Sequence, residues 1–136
     1  MDQIKDDIQN IINYSHDFAE IMLNDGGEYY PFGATISPTG ELTPVGYNDE
    51  ETDNPQSQKV IDQLRSTFDD QLKSGEIRAY AITFDVKVSI NEDGDKSDAI
   101  LIDITHRNDD QIPQYYFPYN WIDNELKFGK SFGMKK

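Results

Sequence analysis

The sequence predicts an α+β fold, a two-layer sandwich of two helices on a mostly antiparallel sheet of about five to six strands. Two segments carry apolar residues at three- and four-residue intervals, as amphipathic helices do, whereas several others alternate apolar and polar residues, as half-buried strands do. Short turns join successive strands, so neighbouring strands should run antiparallel. The predicted order is α-β-β-α-β-β-β, with one more strand at the end. A chain of 136 residues is the size of one domain, residues 1–136.

The first half of the chain begins with a long helix and a hairpin. Residues 3–24 place their apolar side chains on one face, and a glycine pair ends this helix because glycine adopts the left-handed conformation of helix C-termini. Two short strands, residues 30–37 and 42–47, should pair across a turn. Pro44 has no N–H to donate, which places the second strand at a sheet edge or at a bulge.

An acidic loop and a second helix follow the hairpin. Residues 48–53 carry no apolar side chain, which is typical of a solvated loop. Asn54 should cap the second helix, and Pro55 should occupy its first position. Gly75 lies just past the end of this helix, and its apolar stripe consists of Val60, Ile61, Leu64, Phe68 and Leu72.

The second half of the chain consists of strands. Residues 77–90 alternate most regularly, and their apolar side is Tyr80, Ile82, Phe84, Val86, Val88 and Ile90. After a turn over residues 91–97, the returning strand carries its own apolar side at Ile100, Ile102 and Ile104. A third strand should run over residues 114–119, and a last short strand should lie within 121–132 after a turn at Asp123-Asn124.

The chain is strongly acidic, with 26 acidic residues against 12 basic ones and a net charge of −14. This field repels phosphate backbones and anionic lipid surfaces, so we expect neither a nucleic acid nor a membrane as a partner. The same field would speed the approach of a basic protein partner, although solubility alone also explains an acidic surface.

The absence of cysteine limits the kinds of site that the chain can form, and its first residues indicate the cellular compartment. Because the chain contains no cysteine, it has no disulfide, no thiolate zinc site and no thiol nucleophile. The first seven residues include three aspartates where a secretory signal would be basic, and no apolar run approaches the length of a membrane span. We therefore expect a cytoplasmic protein.

Two carboxylates on the central hairpin are candidates for catalytic residues. If the turn is centred on Gly94, then Asp85 faces Asp103 and Val86 faces Ile102. Facing carboxylates repel each other, so such a pair would bind a cation or raise one pKa toward values suited to proton transfer. The alternative is a solvated sheet face on which basic side chains offset the acids, and a slip of two residues would remove the pairing.

The remaining candidate for chemistry is His106, which ends the isoleucine strand and should point toward the helix layer. It is either a hydrogen-bonded histidine at the edge of the core or a base at the mouth of a pocket. The sequence has no phosphate-binding glycine loop, no EF-hand and no histidine pair with metal-ligand spacing, so we expect no metal site and no cofactor. Asp85, Asp103 and His106 are thus the catalytic candidates.

Aromatic residues cluster in two segments of the chain. Tyr115 and Tyr116 are adjacent, so the two side chains cannot point into the same core. Exposed tyrosine and tryptophan beside apolar surface are typical of interfaces and ligand clefts, although packing over helix ends also explains such clusters. The candidate binding residues are Tyr30, Phe32, Tyr115, Tyr116, Tyr119 and Trp121.

Four short motifs occur along the chain: Tyr30-Pro31-Phe32-Gly33-Ala34, Gly40-Glu41, Asp103-Ile104-Thr105-His106-Arg107 and Phe117-Pro118-Tyr119. Together they resemble a group of small bacterial single-domain proteins of unknown function. The resemblance implies a bacterial, cytoplasmic α+β domain and brings no catalytic residues with it. In composition alone, the chain also resembles immunity proteins that neutralise basic bacterial toxins.

These observations favour one class of function and leave a second open. The absence of catalytic motifs predicts a non-enzymatic protein-interaction module, either inhibitor-like against a basic partner or homodimeric. The alternative is a small-molecule-binding protein or a small enzyme that uses the carboxylate pair.

Overall fold

The computed structural model describes residues 3–46, 57–89 and 92–136 and confirms an α+β sandwich with an antiparallel sheet. Several predicted features lie outside the described residues. They are the end of the second strand at Tyr47, the loop at 48–53, the cap at Asn54-Pro55, the end of the third strand at Ile90 and the first turn residue, Asn91. The elements are α1 Gln3–Gly26, β1 Phe32–Ile36, β2 Leu42–Val45, α2 Ser57–Ser74, β3 Ala79–Ser89, β4 Lys96–His106, β5 Gln114–Ile122, β6 Glu125–Phe128 and β7 Phe132–Met134.

All neighbouring strands of the described sheet run antiparallel, in the order β2-β1-β3-β4-β5-β6, and β7 also pairs with β5. The short strand β2, which contains Pro44, lies at one edge as predicted. The predicted turn at Asp123 and Asn124 joins β5 to β6, and both residues have positive φ angles, as a two-residue hairpin turn requires. The described sheet has seven strands, because the last predicted strand is divided into β6 and β7.

The two helices pack on opposite faces of the sheet. One core contains Ile11 of α1 with Ala79 and Ala81 of β3, and the other contains Phe68 of α2 with Ile82 of the same strand. The sequence predicts two layers, whereas β3 is covered by a helix on each side. The reason is that the alanines of β3 are fully buried, although the alternation of large apolar residues assigns them to the polar side. Within the described ranges, neither helix is long and apolar enough to cross a membrane.

The register of the β3–β4 hairpin differs from the predicted one by three residues. Asp85 pairs with Ile100 and Asp103 pairs with Ile82, so the predicted pairing of Asp85 with Asp103 is wrong. Because side chains alternate along a strand, an odd shift moves all side chains of β4 to the other face relative to β3. The last pair of the ladder is Ser89 with Lys96, so the turn comes earlier than a turn centred on Gly94.

Candidate interaction surface

The two predicted carboxylates lie on opposite faces of the sheet and have separate partners. Asp85 lies on the α1 face, where its Oδ1 accepts a hydrogen bond of 2.7 Å from the hydroxyl of Tyr119. Asp103 is buried on the α2 face, where Arg65 Nη2 donates to its Oδ2 at 2.7 Å. Its Oδ1 is 2.8 Å from the ammonium nitrogen of Lys136. Asp85 and Asp103 therefore do not form a pair that could share a proton or a cation.

These environments shift the two pKa values in opposite directions. Burial raises the pKa of Asp85 above its usual value, with the nearby Asp98 charge adding to this and the hydrogen bond from Tyr119 opposing it. Burial alone would also raise the pKa of Asp103, but the cationic groups of Lys136 and Arg65 outweigh it and lower that pKa.

Replacing Asp103 by asparagine is expected to lower the free energy of unfolding by about 1 to 3 kcal/mol near neutral pH, because Arg65 and Lys136 lose a charged acceptor. A carboxyl with a lowered folded pKa stabilises the fold above its unfolded pKa and loses that effect as the pH falls through the folded value. Denaturant unfolding at several pH values should show that wild type and variant differ less in their free energy of unfolding in acid than near neutral pH. A carboxyl NMR titration in which Asp103 protonates at a higher pH than Asp85 would contradict this assignment.

The third catalytic candidate, His106, belongs to a buried network on the α1 face. Its Nε2 is 2.8 Å from Oδ2 of Asp7, and the backbone N–H of Asn108 donates to its Nδ1 at 3.2 Å. Since Nδ1 accepts, the ring proton lies on Nε2 and is donated to Asp7. Arg78 donates to the same carboxylate through Nε at 2.9 Å and through Nη2 at 2.7 Å. Both ring nitrogens are thus engaged, which matches the hydrogen-bonded alternative for His106.

This network ties α1 to the sheet. Asp7 lies on α1, Arg78 directly precedes β3, and His106 ends β4; all three are buried. Burial alone would raise the pKa of Asp7, but the hydrogen bonds from Arg78 and His106 outweigh it and lower the pKa. Sequence reasoning missed Asp7 and Arg78. The available signal was that Asp7 continues the buried four-residue series of Ile11, Ser15, Ala19 and Leu23 on α1.

The six predicted aromatic binding residues divide into buried and exposed positions. Phe32 and Tyr119 are buried in the α1-side core, and Tyr115 packs against that core. Tyr116 points to the opposite face, where its ring stacks on Phe132 with the ring centroids 5.1 Å apart. The exposed members are Tyr30 and Trp121, with 47% and 42% of their surfaces accessible.

Among the described residues, three neighbours on α1 could together hold a metal ion: His16, Asp17 and Glu20. The Nδ1 atom of His16 is 3.9 Å from Oδ1 of Asp17 and 3.8 Å from Oε2 of Glu20. The imidazole ring packs against Phe117 and Phe128. The position of the His16 ring is therefore explained by packing on the sheet.

An apolar ridge runs along α1 at the border of its buried face. Its members Tyr14, Phe18 and Ile21 are four and three residues apart, so their side chains follow one another along the helix. The rings of Tyr14 and Phe18 stack with their centroids 5.7 Å apart, and Phe18 contacts Phe32 of the core edge-on at 5.0 Å. Phe18 is 37% exposed, and Ile21 is 64% exposed. The ridge is thus anchored to the core at one end and open to solvent at the other.

Acidic side chains surround the ridge. Residues 3–30 contain six acids against a single lysine, and of these acids only Asp7 is buried and neutralised by an arginine. Asp17 lies between Tyr14 and Ile21 in the sequence of α1, and Asp25 follows Ile21 by one helical turn; both are exposed. The surface therefore combines exposed apolar area with a negative rim. Sequence reasoning missed Ile21. The available signal was its position beside the apolar stripe of α1, which makes the apolar face of the helix wider than the part that packs on the core.

Comparison of the chain with protein-family models, with curated proteins and with solved structures gave no match in any of the three. No relative therefore assigns a role to these residues. The resemblance to small bacterial proteins stays a prediction, and the functional argument depends on the surface itself.

Proposed function

We propose that this protein is a non-enzymatic interaction module that binds a basic protein partner through the α1 ridge. The observation that carries the proposal is the exposure of Phe18 and Ile21 on a helix whose unburied charges are almost all negative. Large exposed apolar residues inside a polar rim are the usual anatomy of a protein interface.

The chemistry of the surface favours a cationic partner. The net charge of −14 accelerates encounter with a basic protein and disfavours acidic ones. Arginine is suited to such a surface, because its guanidinium group pairs with carboxylates and also stacks on aromatic rings such as the exposed Tyr30. An inhibitor of a basic enzyme or toxin would have this kind of surface.

Two other functions receive less support from the described residues. A homodimer formed ridge to ridge would bring two acidic rims together, and like charges across an interface cost binding energy. A small enzyme based on paired carboxylates lacks the pair, since Asp85 and Asp103 point to opposite faces.

The test compares two exposed isoleucines in pull-downs from lysate of the source cell. Ile21→Ser should weaken capture of the partner by tenfold or more, about 1.4 kcal/mol, because a central apolar contact is replaced by a hydroxyl. Ile122→Ser is the matched control, since Ile122 is 51% exposed and its position on β5 places it on the face of the sheet opposite α1. Capture should also decline as the ionic strength rises.

Three results would contradict the proposal. Equal capture by Ile21→Ser and wild type would remove the ridge from the interface. Loss of capture in Trp121→Ala with full capture in Ile21→Ser would move the interface to the β5–β6 hairpin. A stable dimer of the purified chain in light scattering, lost on Ile21→Ser, would make the ridge a self-association surface.

A further inference from the structure

An open cavity of about 750 Å³ lies beside β5, β6 and β7, on the face of the sheet opposite α1. Its volume is in the range of pockets that hold small organic ligands. The residues that line it include Ser97, Pro118, Asn120, Ile122, Lys130 and Phe132. The cavity is separate from the α1 ridge and is independent of the proposed function.

A break in the edge strand shapes one wall of this cavity. The registers of β6 and β7 on β5 differ by one residue, so Lys130 and Ser131 both lie opposite Phe117. Two residues opposite one form a β-bulge, which bends the strand and redirects its side chains. The N–H of Gly129 still donates to the carbonyl of Pro118 at 2.9 Å, so the bulge begins directly after this bond. Both Lys130 and Ser131 line the cavity.

The opposite wall of the cavity is apolar. Pro118 is buried, Ile122 is half exposed, and Phe132 is fixed by its parallel stacking on Tyr116 with an angle of 6° between the rings. Pro118 and Tyr116 are two residues apart on the same face of β5, so Pro118 and the ring of Phe132 form a surface on which an apolar ligand body can lie.

The charge around the cavity is positive, in contrast to the rest of the chain. Residues 125–136 contain four lysines against a single acid, and no described residue that lines the cavity is acidic. Lys127 pairs with Glu125 at 2.9 Å. Lys130 has no ion-pair partner among residues 3–46, 57–89 and 92–136, and it is exposed. One cationic group at the cavity is thus left to meet a ligand.

We propose that this cavity binds a small organic anion, a carboxylate or phosphate attached to an apolar body. The anionic group lies between Lys130 and the hydroxyl of Ser131, and the apolar body lies on Phe132 and Pro118. The amide of Asn120 is the further polar group that fixes the orientation of the ligand.

The test is an amide NMR titration of the whole chain with phenylacetate and with its neutral analogue phenylacetamide. Phenylacetate should give saturable shifts at Asn120, Lys130 and Ser131 with a dissociation constant of about 1 mM or lower, and phenylacetamide should bind at least tenfold more weakly. Phenyl phosphate distinguishes the two anions, and saturable binding of either one supports the site.

Two lysine variants, one at the cavity and one outside its lining, test the role of the cationic group. Lys130→Met should weaken phenylacetate binding at least about threefold, as expected for one exposed ion pair, whereas Lys135→Met removes the same charge outside the cavity lining and should leave binding unchanged. Equal binding of acid and amide, or equal weakening by both variants, would overturn the anion site. The absence of saturable shifts at the three residues with all three compounds would reject the cavity as a ligand site.

Discussion

Asp7→Ala is expected to lower the free energy of unfolding by about 3 to 5 kcal/mol. The substitution leaves the guanidinium of Arg78 and the Nε2–H of His106 buried without their acceptor, since both side chains are less than a tenth exposed. Removing one member of a buried charged network costs more than the network contributed, because the remaining charge stays desolvated. Denaturant unfolding followed by circular dichroism measures the change.

The neighbouring Asp6 supplies the control for this prediction. Asp6 is exposed in the first turn of α1, so Asp6→Ala should cost less than about 1 kcal/mol. Asp7→Asn, which keeps one acceptor oxygen, should lie between the two variants and serves if Asp7→Ala does not fold. Because the folded pKa of Asp7 is lowered, its stabilising effect should disappear as the pH falls through that value. Equal losses in Asp6→Ala and Asp7→Ala would show that the network does not hold α1 on the sheet.

Gly33→Ala is expected to destabilise the fold by about 1 to 3 kcal/mol. A Cβ atom at Gly33 would lie 2.5 Å and 2.6 Å from two ring carbons of Phe68, and 3.2 Å from the carbonyl oxygen of Ala81. The ring of Phe68 is 1% exposed in the α2-side core, so it cannot move away without displacing other core residues. Thermal unfolding of the variant should therefore show a lower melting temperature.

A double-mutant cycle identifies the contact responsible. Phe68→Leu shortens the side chain, so the effect of Gly33→Ala should be smaller in that background by about 0.5 kcal/mol or more. Gly46→Ala is the control, because a Cβ atom there would meet nothing within 4 Å and the residue has no positive φ. If the two substitutions add without coupling, the close approach of β1 to α2 is not what requires glycine.

The order of helices and strands was predictable from local patterns, but the sheet face to which each strand directs its apolar side chains was not. The stripes on α1 and α2, the edge position of Pro44 and the turn at Asp123-Asn124 follow from residue spacing and backbone chemistry. Residue spacing does not predict which face of the sheet the isoleucines of β4 point to. Ile100, Ile102 and Ile104 alternate in the same way whichever helix covers them. The assumption that β3 buries only one of its two sides also fails, because its alanines are as buried as its large residues.

The residues of the candidate sites were predictable only in part. Six aromatic residues were candidates for a binding surface, and of these Tyr30 and Trp121 are exposed, whereas Phe32 and Tyr119 are buried. The Asp7 network was hidden, because its partners Arg78 and His106 lie 71 and 99 residues away along the chain and no local spacing connects them. The cavity depends on the bulge at Lys130 and Ser131, which exists only once β6 and β7 pair with the same strand.

The two outer edges of the described sheet determine how this protein behaves when it is concentrated. An open edge can add a strand from another copy and so begin a fibril, and proteins prevent this with short strands, proline, bulges and lysine. One edge here is the four-residue β2 with Pro44, and the other is interrupted by the bulge and carries Lys127 and Lys130. Each edge therefore offers a neighbouring copy too few consecutive backbone groups to pair with. Both edges of the described sheet thus have the features by which proteins discourage pairing between copies.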